Sequence, residues 1–141
     1  MTKVLIPIDG SEFSDRAVSY LVEQCTTGGA PDVHLLNVQI PIESGHARMF
    51  ATPEEIEAYH RDEGMKVLKP AMDRLDTENI PYSYHVLVGH TSQTIARYAE
   101  EEKFDKVIMG THGRSGLTHL LLGSVSQNVL RHVKIPVALV K

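Results

Sequence analysis

Short uninterrupted apolar runs alternate along this chain with stretches whose apolar residues recur every three or four positions. Val4-Leu5-Ile6-Pro7-Ile8 is the first run, the pattern of a strand covered on both faces. Asp9-Gly10-Ser11 turns the chain, and Ser11 suits the N-cap of a helix. On that helix Phe13, Ala17, Leu21 and Cys25 share a face, and Gly28-Gly29 stops it. Val33 to Val38 reads as a second strand, followed by a less regular segment from Gln39 to Ala51 with two prolines and Gly45. Thr52-Pro53-Glu54-Glu55 combines a capping box with proline at the first helical position. A long helix is expected from there towards Thr77, with a kink or break at Gly64 or Pro70.

Tyr82 to Val88 gives a third strand. Gly89-His90-Thr91 then leads into a helix capped by Thr91, with Ile95, Ala96 and Ala99 inward. Asp105 to Met109 is a fourth strand, Ser124 to about His132 a helix, and Pro136 to Val140 a fifth strand. Strands alternating with helices imply a single-domain α/β fold over residues 1–141, with a five-stranded parallel sheet flanked by helices on both faces. Ligands of such sheets bind at the carboxyl ends of the strands, where strand order reverses. Asp9-Gly10, Val38-Gln39 and Gly110 to Gly113 all stand at that edge.

The third of these loops carries the most chemistry. Met109-Gly110-Thr111-His112-Gly113 leaves a strand, and Gly123-Ser124 opens a helix after nine intervening residues. Glycines permit unusual torsions and close ligand approach. A helix start offers unpaired N–H donors and partial positive charge, which together favour an anion. The stretch reads as a phosphate cradle. It is neither a Walker A loop nor a dinucleotide fingerprint, since Gly-x-x-x-x-Gly-Lys-Ser/Thr and Gly-x-Gly-x-x-Gly are both absent.

Composition narrows the classes. Fourteen basic against eighteen acidic residues, a net charge of −4, argue against a general nucleic-acid binder. Cys25 is the single cysteine, so no internal disulfide can form and a reducing cytoplasm is the expected setting. No leader-like segment or apolar span near twenty residues stands out, and membrane insertion is not expected. The eight histidines lack metal-ligand spacing such as His-Glu-x-x-His. His46, His60, His90 and His119 read as surface or loop residues, and His34 and His85 as strand residues pointing outward. Asp105, at the start of a strand, belongs to the edge opposite the loops.

The glycine pattern at Gly110, Gly113, Gly123 and Ser124 resembles the nucleotide-binding branch of the universal stress protein family. So do the opening Val4 to Ser11 and the closing Ile135 to Val140, and the resemblance covers essentially the whole chain. It implies a Rossmann-like fold of the adenine nucleotide alpha hydrolase type, with ATP, ADP or AMP at the strand ends. Carried over by position, Asp9 meets the ribose or base. Val38 meets adenine, flanked by Pro7, Ile8 and Met109. Gly110, His112, Gly113, Gly123, Ser124, Val125 and Ser126 surround the phosphates, with Mg²⁺ or Mn²⁺ bridging phosphate oxygens rather than held by a protein cage. The resemblance also implies a homodimer through the last strand, residues 136–140, whose apolar edge needs covering.

Phosphoryl transfer needs positioned charge neutralisation and an oriented nucleophile. Arg114 is the only fixed cation between Gly110 and Gly123, and that loop holds no acidic residue. Ser11, Ser115 and Ser124 show no triad order, and Cys25 lies away from the ligand edge. No catalytic residue is assigned. The reading is a nucleotide-dependent regulator or sensor in stress response, acting on a protein partner the sequence does not name. The alternative is a slow ATPase or another nucleotide-dependent enzyme of the same fold.

Overall fold

The computed structural model describes residues 1–42, 45, 49, 51–114 and 121–141. Five strands, β1 (Lys3–Pro7), β2 (Asp32–Gln39), β3 (Tyr82–Val88), β4 (Lys106–Gly110) and β5 (Val137–Val140), form one sheet. Its order is β3-β2-β1-β4-β5, and every neighbouring pair is parallel. The chain therefore builds outward from β1 on one side and returns to add β4 and β5 on the other. The reversal lies between β1 and β4, where a crevice opens at the strand ends.

Alternation along each strand divides the apolar residues between two cores. Val4, Ile6, Val33, Leu35 and Ile108 pack beneath α1 (Glu12–Gly28) and α2 (Pro53–Thr77). Leu5, Leu36, Val107 and Met109 pack on the other face, beneath α3 (Thr91–Glu101) and α4 (Ser124–His132). This is the expected two-faced α/β arrangement. Among the described residues no helix is long and apolar enough to cross a membrane.

Local signals set the helix ends. Ser11 accepts from the backbone of Ser14 at the start of α1, and Thr52 and Glu55 form the reciprocal capping box of α2. Thr91, in contrast, is the first residue of α3, and the cap position is His90, which makes no side-chain cap bond.

The break expected in α2 does not occur. Pro70 sits inside a continuous 25-residue helix. It is exposed, so water can serve the carbonyl that proline's missing N–H leaves without a donor. Gly64 is buried against β3, where an added Cβ would lie 2.5 Å from Cγ1 of Val86. It is a point of contact, not of weakness.

Two histidine expectations also need correction. His34 and His85 face each other on adjacent strands with stacked rings, and Nδ1 of His34 lies 2.9 Å from Nε2 of His85. Tyr98 and Phe104 complete this aromatic group. His60 is only 5% exposed. It falls on the buried stripe His60, Gly64, Leu68, Ala71, Leu75 of α2, a helical spacing visible in the sequence. His46, Ser115, His119 and most of the irregular segment after Ile42 lie outside the described residues.

Candidate functional site

A cavity of about 640 Å³ occupies the crevice, within the range of small-molecule sites. Every residue assigned to the site from sequence lines it: Pro7, Ile8 and Asp9 after β1; Val38 on β2; Met109 and Gly110 on β4; His112, Gly113 and Arg114 in the loop; Gly123, Ser124, Val125 and Ser126 at the start of α4. The topology thus gathers three segments that are distant in the chain.

Asp9 is held as a turn residue. Its Oδ1 accepts from the backbone N–H of Ser11 at 2.9 Å and from the Ser11 hydroxyl at 2.6 Å. Gly10 takes a φ of 84°, left-handed backbone that favours glycine. The turn and ligand readings of Asp9 are compatible, because the Ser11 bonds occupy one oxygen and leave Oδ2 beside Gly113.

The cradle glycines are there for proximity, not torsion. Gly110, Gly113 and Gly123 are not among the residues of positive φ. A Cβ on Gly110 would lie 2.6 Å from Cβ of Phe13 in α1, and one on Gly123 3.2 Å from Cα of His112. The expectation of unusual torsions is therefore replaced by one of close packing. The two described ends of the loop are joined, with Gly123 N–H donating to the Thr111 carbonyl at 2.7 Å. Thr111 N–H donates to the carbonyl of Val140 at 2.9 Å, tying the loop to β5.

At the start of α4 the cap residue is Gly123, and no side chain caps the helix. The first-turn N–H groups have no carbonyl ahead of them in the helix, and their residues Ser124, Val125 and Ser126 line the cavity. Ser124 is exposed and Val125 half-buried. Ser126 is different. It is 2% exposed, and its hydroxyl donates towards the carbonyls of Gly110 at 2.9 Å and Thr111 at 3.1 Å. Its single proton holds the loop, which leaves the backbone N–H as its donor at the helix start. His112 packs against Phe13 with ring centroids 5.2 Å apart.

Sequence reasoning missed part of the β2 side. Asn37 is buried, its amide donating to the Ile8 carbonyl at 2.8 Å and its carbonyl accepting from Gln39 at 2.7 Å. It fixes the end of β2 to the turn that carries Asp9. Tyr59 and His60 of α2 also line the cavity, together with Ile40 and Ile42. A helix returning between parallel strands starts at their carboxyl edge, so the first turns of α2 belong beside the loops.

Asp9 is the one carboxylate among the described residues lining the cavity, and Arg114 the one fixed cation. No group of three or more His, Cys, Asp or Glu among the described residues could hold a metal ion. Cys25 lies on α1 away from the cavity, and burial pushes its thiol pKa up, which suppresses the reactive thiolate. Asp105 lies at the far edge, accepting from the Lys3 backbone N–H at 2.8 Å.

Comparison with known families matches residues 1–141 to the universal stress protein family. The chain belongs to that family. Among relatives, universal stress protein Slr1230 of Synechocystis is 32% identical over 137 residues; the match spans 97% of this chain but 42% of that longer protein. Universal stress protein MJ0577 of Methanocaldococcus jannaschii is 29% identical over 153 residues, 99% of this chain and 94% of its own. The solved structure of MJ0577 superposes with a TM-score of 0.84 at 30% identity, covering 99% and 95% of the two chains. A family protein of Arabidopsis thaliana, solved with AMP bound, shares the fold at a TM-score of 0.71 and 19% identity, covering 100% and 92%.

Proposed function

We propose that this universal stress protein binds an adenine nucleotide in the crevice between β1 and β4 and acts as a nucleotide-dependent regulator of a protein partner in stress response. One observation carries the reading. A helix start without a side-chain cap, the glycines Gly110, Gly113 and Gly123, Asp9 and the end of β2 line one cavity. Phosphates meet the N–H groups of Ser124, Val125 and Ser126, with Gly110, His112, Gly113, Arg114 and Gly123 around them. Asp9 takes the ribose or the base, and Val38, with Pro7, Ile8 and Met109, takes the adenine. The AMP bound in the Arabidopsis protein supports this reading at the level of the fold.

A single carboxylate fits a divalent cation whose other ligands are nucleotide oxygens and water, the usual habit of Mg²⁺. The same scarcity of charged groups supports binding over rapid turnover. Calorimetric titration with ATP, ADP and AMP, with and without Mg²⁺, tests the proposal. Saturable binding of at least one nucleotide is expected, and absence of binding by all three would refute it.

The chain is further proposed to pair as a homodimer through β5. This strand ends the sheet, and its residues are all half-buried in the isolated chain, an edge that natural proteins cover or pair. Deleting residues 137–141 should yield monomer or aggregate in sedimentation. A truncated chain that sediments as an intact dimer rules this interface out.

A further inference from the structure

His60 is the polar group of the cavity wall whose bonding is incomplete. The residue is 95% buried by its 5% exposure, and its Nδ1 is out of contact with water and has no hydrogen-bond partner among the described residues. Buried polar atoms are nearly always paired, because leaving one unpaired forfeits its hydration without compensation. Its ring contact is with Tyr59, edge-on at 5.7 Å between centroids, which satisfies no nitrogen.

His60 lines the main cavity, and it also lines a second one of about 460 Å³ shared with Pro53, Ile56 and Val88. Nδ1 itself is out of contact with solvent, so a partner in the crevice reaches it once the ring turns about the Cβ–Cγ bond and exchanges its two edges.

The position within the sheet selects which part of a nucleotide this is. The phosphate-binding helix start follows β4, whereas α2 lies over β2 and β3, on the opposite side of β1. A nucleotide with its phosphates at Ser124 extends across the end of β1 and brings its base to the β2 side. The walls there are Val38, Ile40, Ile42 and Val67, with Tyr59 at the side. This is an apolar slot suited to a flat heterocycle. A purine edge offers both N–H donors and ring-nitrogen acceptors, and a neutral imidazole carries one donor and one acceptor.

We infer that His60 is a specificity-determining residue that hydrogen-bonds the heterocyclic base of the bound nucleotide. This rests on the nucleotide reading of the crevice. Its physical logic is that the unbound protein tolerates an unpaired nitrogen which the ligand then satisfies.

The test compares wild-type protein with His60→Phe, which keeps a ring but removes the nitrogens, and His60→Asn, whose amide places a polar atom near the Nδ1 position. AMP is titrated calorimetrically, and ribose 5-phosphate, which lacks the base, by NMR. His60→Phe is expected to weaken AMP about five- to fiftyfold while leaving ribose 5-phosphate unchanged, and His60→Asn to recover part of the loss. In ¹⁵N-labelled wild-type protein, the imidazole nitrogen signals of His60 should move on adding AMP and stay put with ribose 5-phosphate. This readout does not depend on any variant folding. Equal weakening of both ligands overturns the inference, because His60 then only shapes the crevice. So does AMP binding that leaves the nitrogen signals and the His60→Phe affinity unchanged. Where wild-type protein binds ATP or ADP but not AMP, that nucleotide takes the place of AMP in the comparison; if it binds none of the three, the nucleotide reading itself has failed, and this inference with it.

Discussion

An added Cβ on Gly113 would lie 2.6 Å from Oδ2 of Asp9. The loop after β4 and the turn after β1 therefore lie close together at the crevice wall. Asp9 cannot simply swing aside, because its other oxygen is bonded to the backbone and hydroxyl of Ser11. Gly113→Val should displace the carboxylate or the loop and weaken nucleotide binding by at least about tenfold, in line with the cost of forcing extra methyl groups into a packed site. Far-UV circular dichroism should be unchanged, because the displaced parts lie outside the helices and strands.

Ser126 joins the same loop to α4. Ser126→Ala removes the donor that serves the carbonyls of Gly110 and Thr111 and should cost about 1–3 kcal/mol. Urea denaturation measures this. A loss near zero would mean that water replaces the hydroxyl despite its burial.

The contact of Gly64 with Val86 sets the spacing between α2 and β3. Gly64→Ala should destabilise the fold by about 1–3 kcal/mol, even though alanine is the better helix former. Val86→Ala in the same chain should return part of that loss. The coupling read from the double-mutant cycle is the measurement that decides it.

His85 predicts a pH dependence of stability. Burial lowers its pKa, and the neighbouring His34 and Lys3 lower it further, against the opposing pull of Glu102. The unfolded chain, at about 6.5, then binds more protons than the folded one as the solution is acidified. Stability is therefore full above that value and is lost as pH falls through it towards the lower folded value. The bond between the two rings adds to this sign, since it needs one ring nitrogen without a proton and a pair of imidazolium ions has none. His85→Phe should flatten the difference in urea stability between about pH 7.5 and about pH 5.5. An unaltered difference would locate the effect elsewhere.

Much of this was legible in the sequence because its signals were local. Ser11 and Thr52 announce helix starts, and the run Val4 to Ile8 announces a doubly covered strand. The alternation of the two patterns points to the parallel sheet and to the edge where the cavity opens. What escaped depends on contacts between distant segments. Gly110 looks like a torsional choice until Phe13 is seen against it, and Gly64 looks like a weak point until Val86 is. His60 was readable in principle from its stripe with Leu68 and Leu75, yet a histidine on a charged helix suggests a surface. Ser126 shows the opposite limit. The sequence places it in the first turn of a helix, but which atoms its hydroxyl serves depends on how the loop folds back.

The bond from Thr111 to Val140 carries a last implication. The residue that opens the glycine loop also extends the ladder of the outermost strand. In the proposed dimer, ligand occupancy and pairing through β5 act on one piece of backbone, and linkage makes their influence mutual. Whatever factor nucleotide contributed to such a dimer, the dimer would return in affinity for nucleotide. A chain so assembled would respond to its own abundance as well as to its ligand.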